Sequence, residues 1–435
     1  MSSLRRQLAA SFFSFDTRSL GAFRIALACS LFMDLLPRFG QLDDYELLGH
    51  FVHCPPFHST FPLFFGASQR SESLLLVLAA ALVFGALLLG WFTKLAQVLS
   101  LLALVSLDGH FGYEGNRLVG LLCLWGLFLP LGERFSIDAV RASLRRRQQQ
   151  SPAALNDRAP IRTPARRAYS LACTALLLQF AAIFLSHRTD GAVAPAAVLL
   201  AALLFNPFAR RYTNLLVIAP ILAAYLAEVL SSAVYTGGRL SMIPLCALLL
   251  EPSHWEFLRR QLTRSYRRRV VFVDDDCGFC MMCARLLARL DVLERLEFAS
   301  NGDQERLPSG ISLEMANESI TTLDLDTGRV HRGSAAFAAL LRSLPFGFSL
   351  AIPLTLPGLR VPAEAAYMLV ARNRLDISLW LGYAACGLPM TEAEASAAEP
   401  TPSEGALWFA RVAAYAREAC VLVLLIAAAY DLLTR

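Results

Sequence analysis

Long apolar runs, with the charges bunched between them, limit what this chain can fold into more than any other feature. Stretches at 20–36, 74–92, 95–107, 118–131, 170–185, 192–205, 215–232 and 240–250 carry few charged residues. A hydrocarbon core about 30 Å thick takes roughly 20 apolar residues of helix, and a helix satisfies its own backbone groups there. The runs therefore predict a multi-pass bundle of about eight membrane helices over the first half of the chain. Composition agrees: 56% of the residues are hydrophobic and 17% are charged, against about a quarter charged in soluble domains. Asp16 and Arg18 precede the first apolar run, so no cleavable leader is expected.

Arginine sets the orientation. With the N-terminus inside, the cytoplasmic segments hold Arg5 and Arg6, Lys94, the arginines between 141 and 167, Arg210 and Arg211, and six arginines from Arg259 to Arg269. The outer segments hold scattered cations such as Arg38, Arg70, Arg117, Arg188 and Arg239. By the positive-inside rule, an even number of crossings returns the chain to the cytoplasm before Val270. The expected setting is the inner (plasma) membrane, with the lipid bilayer as first partner. The net charge of +5 is what such loops supply, and without basic–aromatic interleaving it gives no reason to expect nucleic acid. Residues 141–167, rich in Arg, Gln, Ala and Pro, read as a linker-like cytoplasmic loop.

From 268 onward the texture is that of a soluble α/β domain. Residues 269–274 read as a strand, 277–293 as a helix, 295–299 and 319–325 as strands, and Asp326-Thr327-Gly328 as a hairpin turn into 329–332. Helices follow at 334–344 and 362–373, then a flexible linker at 391–404. A segment at 406–433, amphipathic and then apolar, is expected to lie on the membrane or re-enter it.

Of ten cysteines, only Cys277, Cys280 and Cys283 cluster. Single thiols in apolar helices act as small hydrophobes, so this is no disulfide framework. Cys277 falls at or just before the first turn of a helix, and Cys280 one turn later on the same face. A helix N-terminus favours a thiolate, while the adjacent Asp274, Asp275 and Asp276 oppose it. Cys277 is the expected nucleophile and Cys280 the resolving thiol, a pair suited to a reducing compartment. No cofactor and no metal are assigned. A zinc site built from the three cysteines with His331 or Cys386 is the weaker reading, because structural zinc usually draws on two separated ligand pairs. Cys283 reads as a packing residue. The hydrophobic run into three aspartates also suggests an aspartate-nucleophile phosphatase, but those enzymes need a later lysine and Lys94 is the one lysine present. His50, His53, Cys54 and His58 read as an interfacial aromatic loop rather than a metal site. Charges inside apolar runs mark site candidates in the bundle: Arg24, Asp34 and Glu228, with His187 at a helix end.

Two resemblances add to these readings. Phe15-Asp16-Thr17-Arg18, leading to Arg24, and Trp125-Gly126-Leu127-Phe128-Leu129-Pro130-Leu131-Gly132, leading to Phe135-Ser136-Ile137-Asp138, resemble the HTTM domain, the membrane bundle shared with vitamin K-dependent γ-carboxylases. The resemblance covers 8–261 and implies a bundle that binds a lipid or quinone. The lysine base of the carboxylases has no counterpart at 177–193, where His187 is the candidate base, so carboxylation is not carried over. Val271-Phe272-Val273-Asp274-Asp275-Asp276-Cys277-Gly278-Phe279-Cys280 is similar to the opening of the DCC family of thiol-disulfide oxidoreductases, with Asp275 at the family's glycine. Arg332-Gly333-Ser334-Ala335-Ala336, the stretch from Tyr367 to Arg374, and Cys386 continue that pattern over 268–389. This resemblance implies a thioredoxin-like fold, a catalytic Cys277 and Cys280, and supporting positions at Asp274, Asp276, Ser334, Arg372 and Cys386. Such folds usually set a cis-proline beside the cysteines, yet none stands between Pro308 and Pro345.

The expectation is a multi-pass α-helical membrane bundle plus a soluble thioredoxin-like α/β domain, exchanging thiols with a protein or small-molecule partner. A scaffold or lipid-binding protein without redox turnover, and a carboxylase-like quinone-dependent enzyme, are the alternatives.

Overall fold

The structure, a computed structural model, describes residues 12–40, 70–111, 117–146, 152–156, 167–186, 194–204, 210–231, 242–291, 293–344, 347–380 and 404–434. The chain divides into two compact units, one of Met1–Ala139, Ala165–Trp255 and Pro402–Arg435, the other of Val140–Pro164 and Glu256–Thr401.

The first unit begins with β1 (Ser14–Asp16) and α1 (Thr17–Gly40), followed by α2 (Arg70–Leu89), α3 (Thr93–Phe111), α4 (Arg117–Gly126) and the start of α5 (Ile137–Arg146). It continues with β2 (Arg167–Tyr169), α6 (Leu171–Ser186), α7 (Ala194–Leu204), α8 (Arg210–Ser231), α9 (Met242–Leu248) and the start of α10 (Pro252–Thr263). Each apolar run thus contains a helix. Among the described residues two helical segments, Thr17–Phe39 and Ser71–Leu89, are long and apolar enough to cross a membrane.

Charged side chains tie the ends of these helices. The Asp16 carboxylate accepts the Arg18 N–H at 2.8 Å and ion-pairs with its guanidinium, fixing the start of α1. Arg24, fully buried, donates from Nη1 to the Leu87 carbonyl in the last turn of α2 (2.8 Å) and from Nη2 to the Phe135 carbonyl. Gly90 then turns left-handed (φ +66°), and a Cβ there would fall 2.1 Å from Arg24 Nη1. Glycine is required for α2 to end against this guanidinium. Asp138 accepts the Thr93 N–H and hydroxyl, both at 2.7 Å, and caps α3. Lys94 donates to the Leu127 and Leu129 carbonyls beyond α4. Asp34 pairs with Arg38 one turn later at 2.7 Å, both side chains buried.

The second unit holds β3 (Arg269–Val273), α11 (Gly278–Leu290), β4 (Leu296–Ser300), α12 (Leu313–Glu318), β5 (Thr321–Asp324) and β6 (Val330–Arg332). Four helices follow: α13 (Gly333–Leu341), α14 (Gly347–Thr355), α15 (Pro357–Arg372) and α16 (Arg374–Trp380). The last helix of the chain, α17 (Glu404–Thr434), belongs to the first unit, where its Glu418 accepts the Leu171 N–H at 2.8 Å and caps α6.

The strands form a small mixed sheet in the order β4-β3-β5-β6. β3 and β4 are parallel across α11, whereas β5 and β6 form an antiparallel hairpin beside β3. Alternation sends successive residues of β3 to opposite faces. Val271 and Val273 join Met281, Ala284, Phe298 and Leu340 in the larger core, and Val270 and Phe272 pack with Ala299 in a smaller one. The hairpin turns at Gly328, whose φ is +69° and whose N–H reaches the Asp324 carbonyl at 2.8 Å.

The linker reading of 141–167 needs correction. A 3₁₀ turn at Ala153–Asn156 buries Leu155 in the larger core of the second unit. Asn156 pairs with the edge of β4, its Nδ2 donating to the Phe298 carbonyl and its Oδ1 accepting the Phe298 N–H, each at 2.7 Å. A side-chain amide so completes the hydrogen bonding of an edge strand. Patterning also misses α14 and α16, because Pro353 sits inside the first and the second follows α15 almost without a break.

Candidate active site

β3 ends at Val273 and delivers the three aspartates into a turn, after which Cys277 is the N-cap of α11. Its backbone is extended (φ −105°, ψ 110°), and its Sγ accepts the Cys280 N–H at 3.4 Å. The Cys277 Sγ, the Cys280 Sγ and a carboxylate oxygen of Asp274 all lie within 4.8 Å of one another, and both thiols are free.

The electrostatics separate the two sulfurs. The Cys280 thiol donates to Cys277 and brings its pKa down to about 6, with the Cys280 N–H and Arg374 helping, against burial and Asp274. The same hydrogen bond pushes the Cys280 pKa up, and burial and the Cys277 charge add to it. Burial and then the Cys277 charge raise Cys283 to about 11. Asp274 is raised by burial and held back by Arg374, whose Nη2 lies 2.8 Å from Asp274 Oδ2.

An apolar cavity of about 420 Å³ opens beside the pair, with Phe279, Cys280, Cys283, Ile320, Tyr367 and Arg374 in its lining. Cys277 is fully buried and does not line it. The cysteine with the lowered pKa and the cysteine that lines the cavity are therefore different residues.

Residues 271–380 match the DCC1-like thiol-disulfide oxidoreductase family. The chain thus carries a DCC1-like domain, and the match supports a thiol–disulfide redox function for it. No curated protein and no solved structure matches the chain.

Within the DCC1-like domain the other expected residues fall in varied places. Asp275, at the family's glycine, accepts the Ser300 hydroxyl at 2.8 Å and anchors the turn to the end of β4. Asp276 is exposed, and its backbone N–H donates to Asp274 Oδ1. Ser334 lines the cavity, but its N–H and hydroxyl both go to the Glu364 carboxylate, which caps α13. Gly333 before it adopts φ +61°, where a Cβ would meet Glu364 Oε1 at 2.7 Å.

Arg372 is exposed in the last turn of α15, and Arg374, beyond the helix break at Asn373, is the arginine that reaches Asp274. Arg374 and Tyr367 are the site residues the sequence reading missed, although both lie in the stretch that carried the family resemblance. Where the chain enters β5, the Ile320 N–H donates to the Tyr367 hydroxyl at 2.8 Å, so a side chain of α15 satisfies the backbone at the start of that strand.

Among the described residues, the atoms close enough to share a metal ion are those of Asp274, Cys277 and Cys280, and His331 lines a separate cavity. Cys386, His187 and His50, His53, Cys54 and His58 lie outside the described residues, as does the side chain of Glu228. Arg24 and Asp34 belong to the first unit, in the helix-end and ion-pair contacts given above.

Proposed function

We propose that this protein is a membrane-tethered thiol–disulfide oxidoreductase working through Cys277 and Cys280 on the cytoplasmic side of the inner membrane. One observation carries the reading: a thiol with a depressed pKa at the N-cap of α11 takes hydrogen bonds from the second cysteine one turn on. A parallel βαβ unit followed by an antiparallel hairpin supports a thioredoxin-like assignment. Helices of spanning length and the segregation of arginine support a multi-pass anchor and its orientation. An HTTM-like bundle that takes a lipid or quinone belongs to the same proposal and rests on the sequence motifs.

In the exchange, the Cys277 thiolate attacks one sulfur of a partner disulfide. That S–S bond breaks, and the other sulfur leaves as a thiolate and takes up a proton. Cys280 gives its proton to Asp274, whose burial favours the protonated form, and its sulfur attacks Cys277 Sγ; the mixed S–S bond breaks, and the partner's sulfur leaves and takes up that proton. The partner departs reduced by two electrons, the domain holds a Cys277–Cys280 disulfide, and an external dithiol restores it. Because Cys277 is covered, the side chains over it move before the first attack. The apolar cavity favours a partner whose disulfide is flanked by small apolar groups.

A Cys280→Ser variant tests this. Without the resolving thiol, Cys277 is expected to hold its partner as a mixed disulfide that dithiothreitol releases. Absence of any Cys277-dependent adduct, with Cys277 alkylation titrating in the ordinary thiol range, overturns the proposal. Burial of Cys277 is the observation that favours a scaffold or lipid-binding protein instead, in which both cysteines could be replaced without loss.

A further inference from the structure

A second cavity in the second unit, of about 650 Å³, has the opposite character. Arg267, Arg269, Arg329, His331, Arg342 and Arg360 line it, and no carboxylate does. Asp324 serves two of these cations at once, Arg267 at 3.3 Å and Arg269 at 3.4 Å. Arg329, Arg342 and Arg360 are exposed and have no ion-pair partner among the described residues. Arg269 is 6% exposed, and its buried Nε has no hydrogen-bond partner among the described residues.

Like charge works against such a cluster, and burial works against Arg269 within it. The strain shows at His331, whose pKa is held down by burial and then by Arg269, with Arg329 and Arg342 adding and Asp324 opposing. Guanidinium groups are planar forks that offer paired, charge-assisted N–H bonds to phosphoryl oxygens. Here they line one cavity from β3, the hairpin, the end of α13 and α15. The volume leaves room for more than a bare phosphate ion.

We propose that this cavity binds a phosphate-bearing ligand, with Arg269 as its buried contact and Arg329, Arg342 and Arg360 as its exposed ones. The phosphate comes either from a soluble phosphorylated molecule or from the headgroup of an anionic lipid. The site does not depend on the thiol chemistry.

The full chain in neutral alkyl-maltoside micelles, titrated with inorganic pyrophosphate and, separately, with phosphatidic acid, tests it. Saturable binding of one or both is expected, and the exposed-residue variant Arg329→Gln/Arg360→Gln weakens it at least about tenfold. Arg342→Gln, also exposed, gives a second loss, and a thermal melt matching the unaltered protein shows that the fold survives. Arg306→Gln, at an arginine paired with Glu297 and outside this lining, leaves binding unchanged. Phosphatidic acid that displaces pyrophosphate, or binds where pyrophosphate does not, assigns the lipid headgroup; pyrophosphate binding that phosphatidic acid leaves intact assigns a soluble ligand. Saturable binding of neither probe, or an equal loss in Arg306→Gln, overturns the proposal.

Discussion

The two units of this chain put charge at helix ends for different purposes. In the first, Arg24 and Lys94 answer carbonyls at the ends of α2 and α4, and Asp138 and Glu418 answer amides at the starts of α3 and α6. These partners are backbone dipoles and fixed charges, and nothing in them reacts. In the second, the group at the start of α11 is a sulfur, and a second thiol and a half-buried carboxylate stand beside it. The physics is the same, a partial positive charge at a helix N-terminus and its mirror at the other end. Whether such an end serves architecture or chemistry depends on whether the side chain facing it can lose a proton near neutrality and form a new bond.

The contrast breaks most easily at Cys277. Cys277→Ser is expected to lower exchange with an aromatic disulfide reporter by at least about a thousandfold. Serine is itself a good N-cap, so the melting temperature of the domain should stay close to that of the unaltered protein. A variant that loses stability and keeps exchange would make Cys277 architectural, like Arg24.

Arg24→Leu is the reciprocal change. It strips the Leu87 and Phe135 carbonyls of their donor in a buried place, and about 3 kcal/mol of bundle stability is expected to go. Detergent-phase thermal unfolding reads that loss, and the Cys277 titration should not move. If stability holds while lipid or quinone binding disappears, Arg24 is a site residue and the division between the units fails. Asn156→Ala is a milder test of architecture in the second unit. Unpairing the edge of β4 at Phe298 should cost about 1–2 kcal/mol and speed amide exchange there, and unchanged exchange at Phe298 would remove Asn156 from the sheet edge.

What the sequence made legible follows from which interactions are local. Alternation in 269–274 and the Asp-Thr-Gly turn locate β3 and the hairpin, and the Cys-x-x-Cys spacing sets both thiols on one turn of α11. Asn156 was invisible because its partner, Phe298, lies far along the chain and reads as an ordinary strand residue. Arg372 and Arg374 were indistinguishable because the helix break at Asn373 decides which one turns toward Asp274. The burial of Cys277 is likewise a property of packing, which spacing cannot report.

Arg374→Gln gives the smallest effect and the finest test, because charge and cover can be read apart. Iodoacetamide alkylation of Cys277 against pH yields a midpoint, set by the pKa of about 6, and a plateau, set by access to the buried sulfur. Arg374 stabilises the thiolate, so its removal disfavours the charged form and raises the midpoint. The same change frees Asp274 from its cation, raises that carboxyl too, and takes some negative charge away from the thiolate. The two effects oppose, so a rise of less than about one pH unit is expected: alkylation slows near pH 6 and, as far as charge is concerned, is nearly unchanged by pH 8. Asp274→Asn removes the carboxylate while keeping the arginine, and moves the midpoint down. If both variants leave the midpoint in place while the plateau rises, the Asp274–Arg374 pair acts only as a cover over Cys277, and the tuning of this sulfur rests on Cys280 and the end of α11.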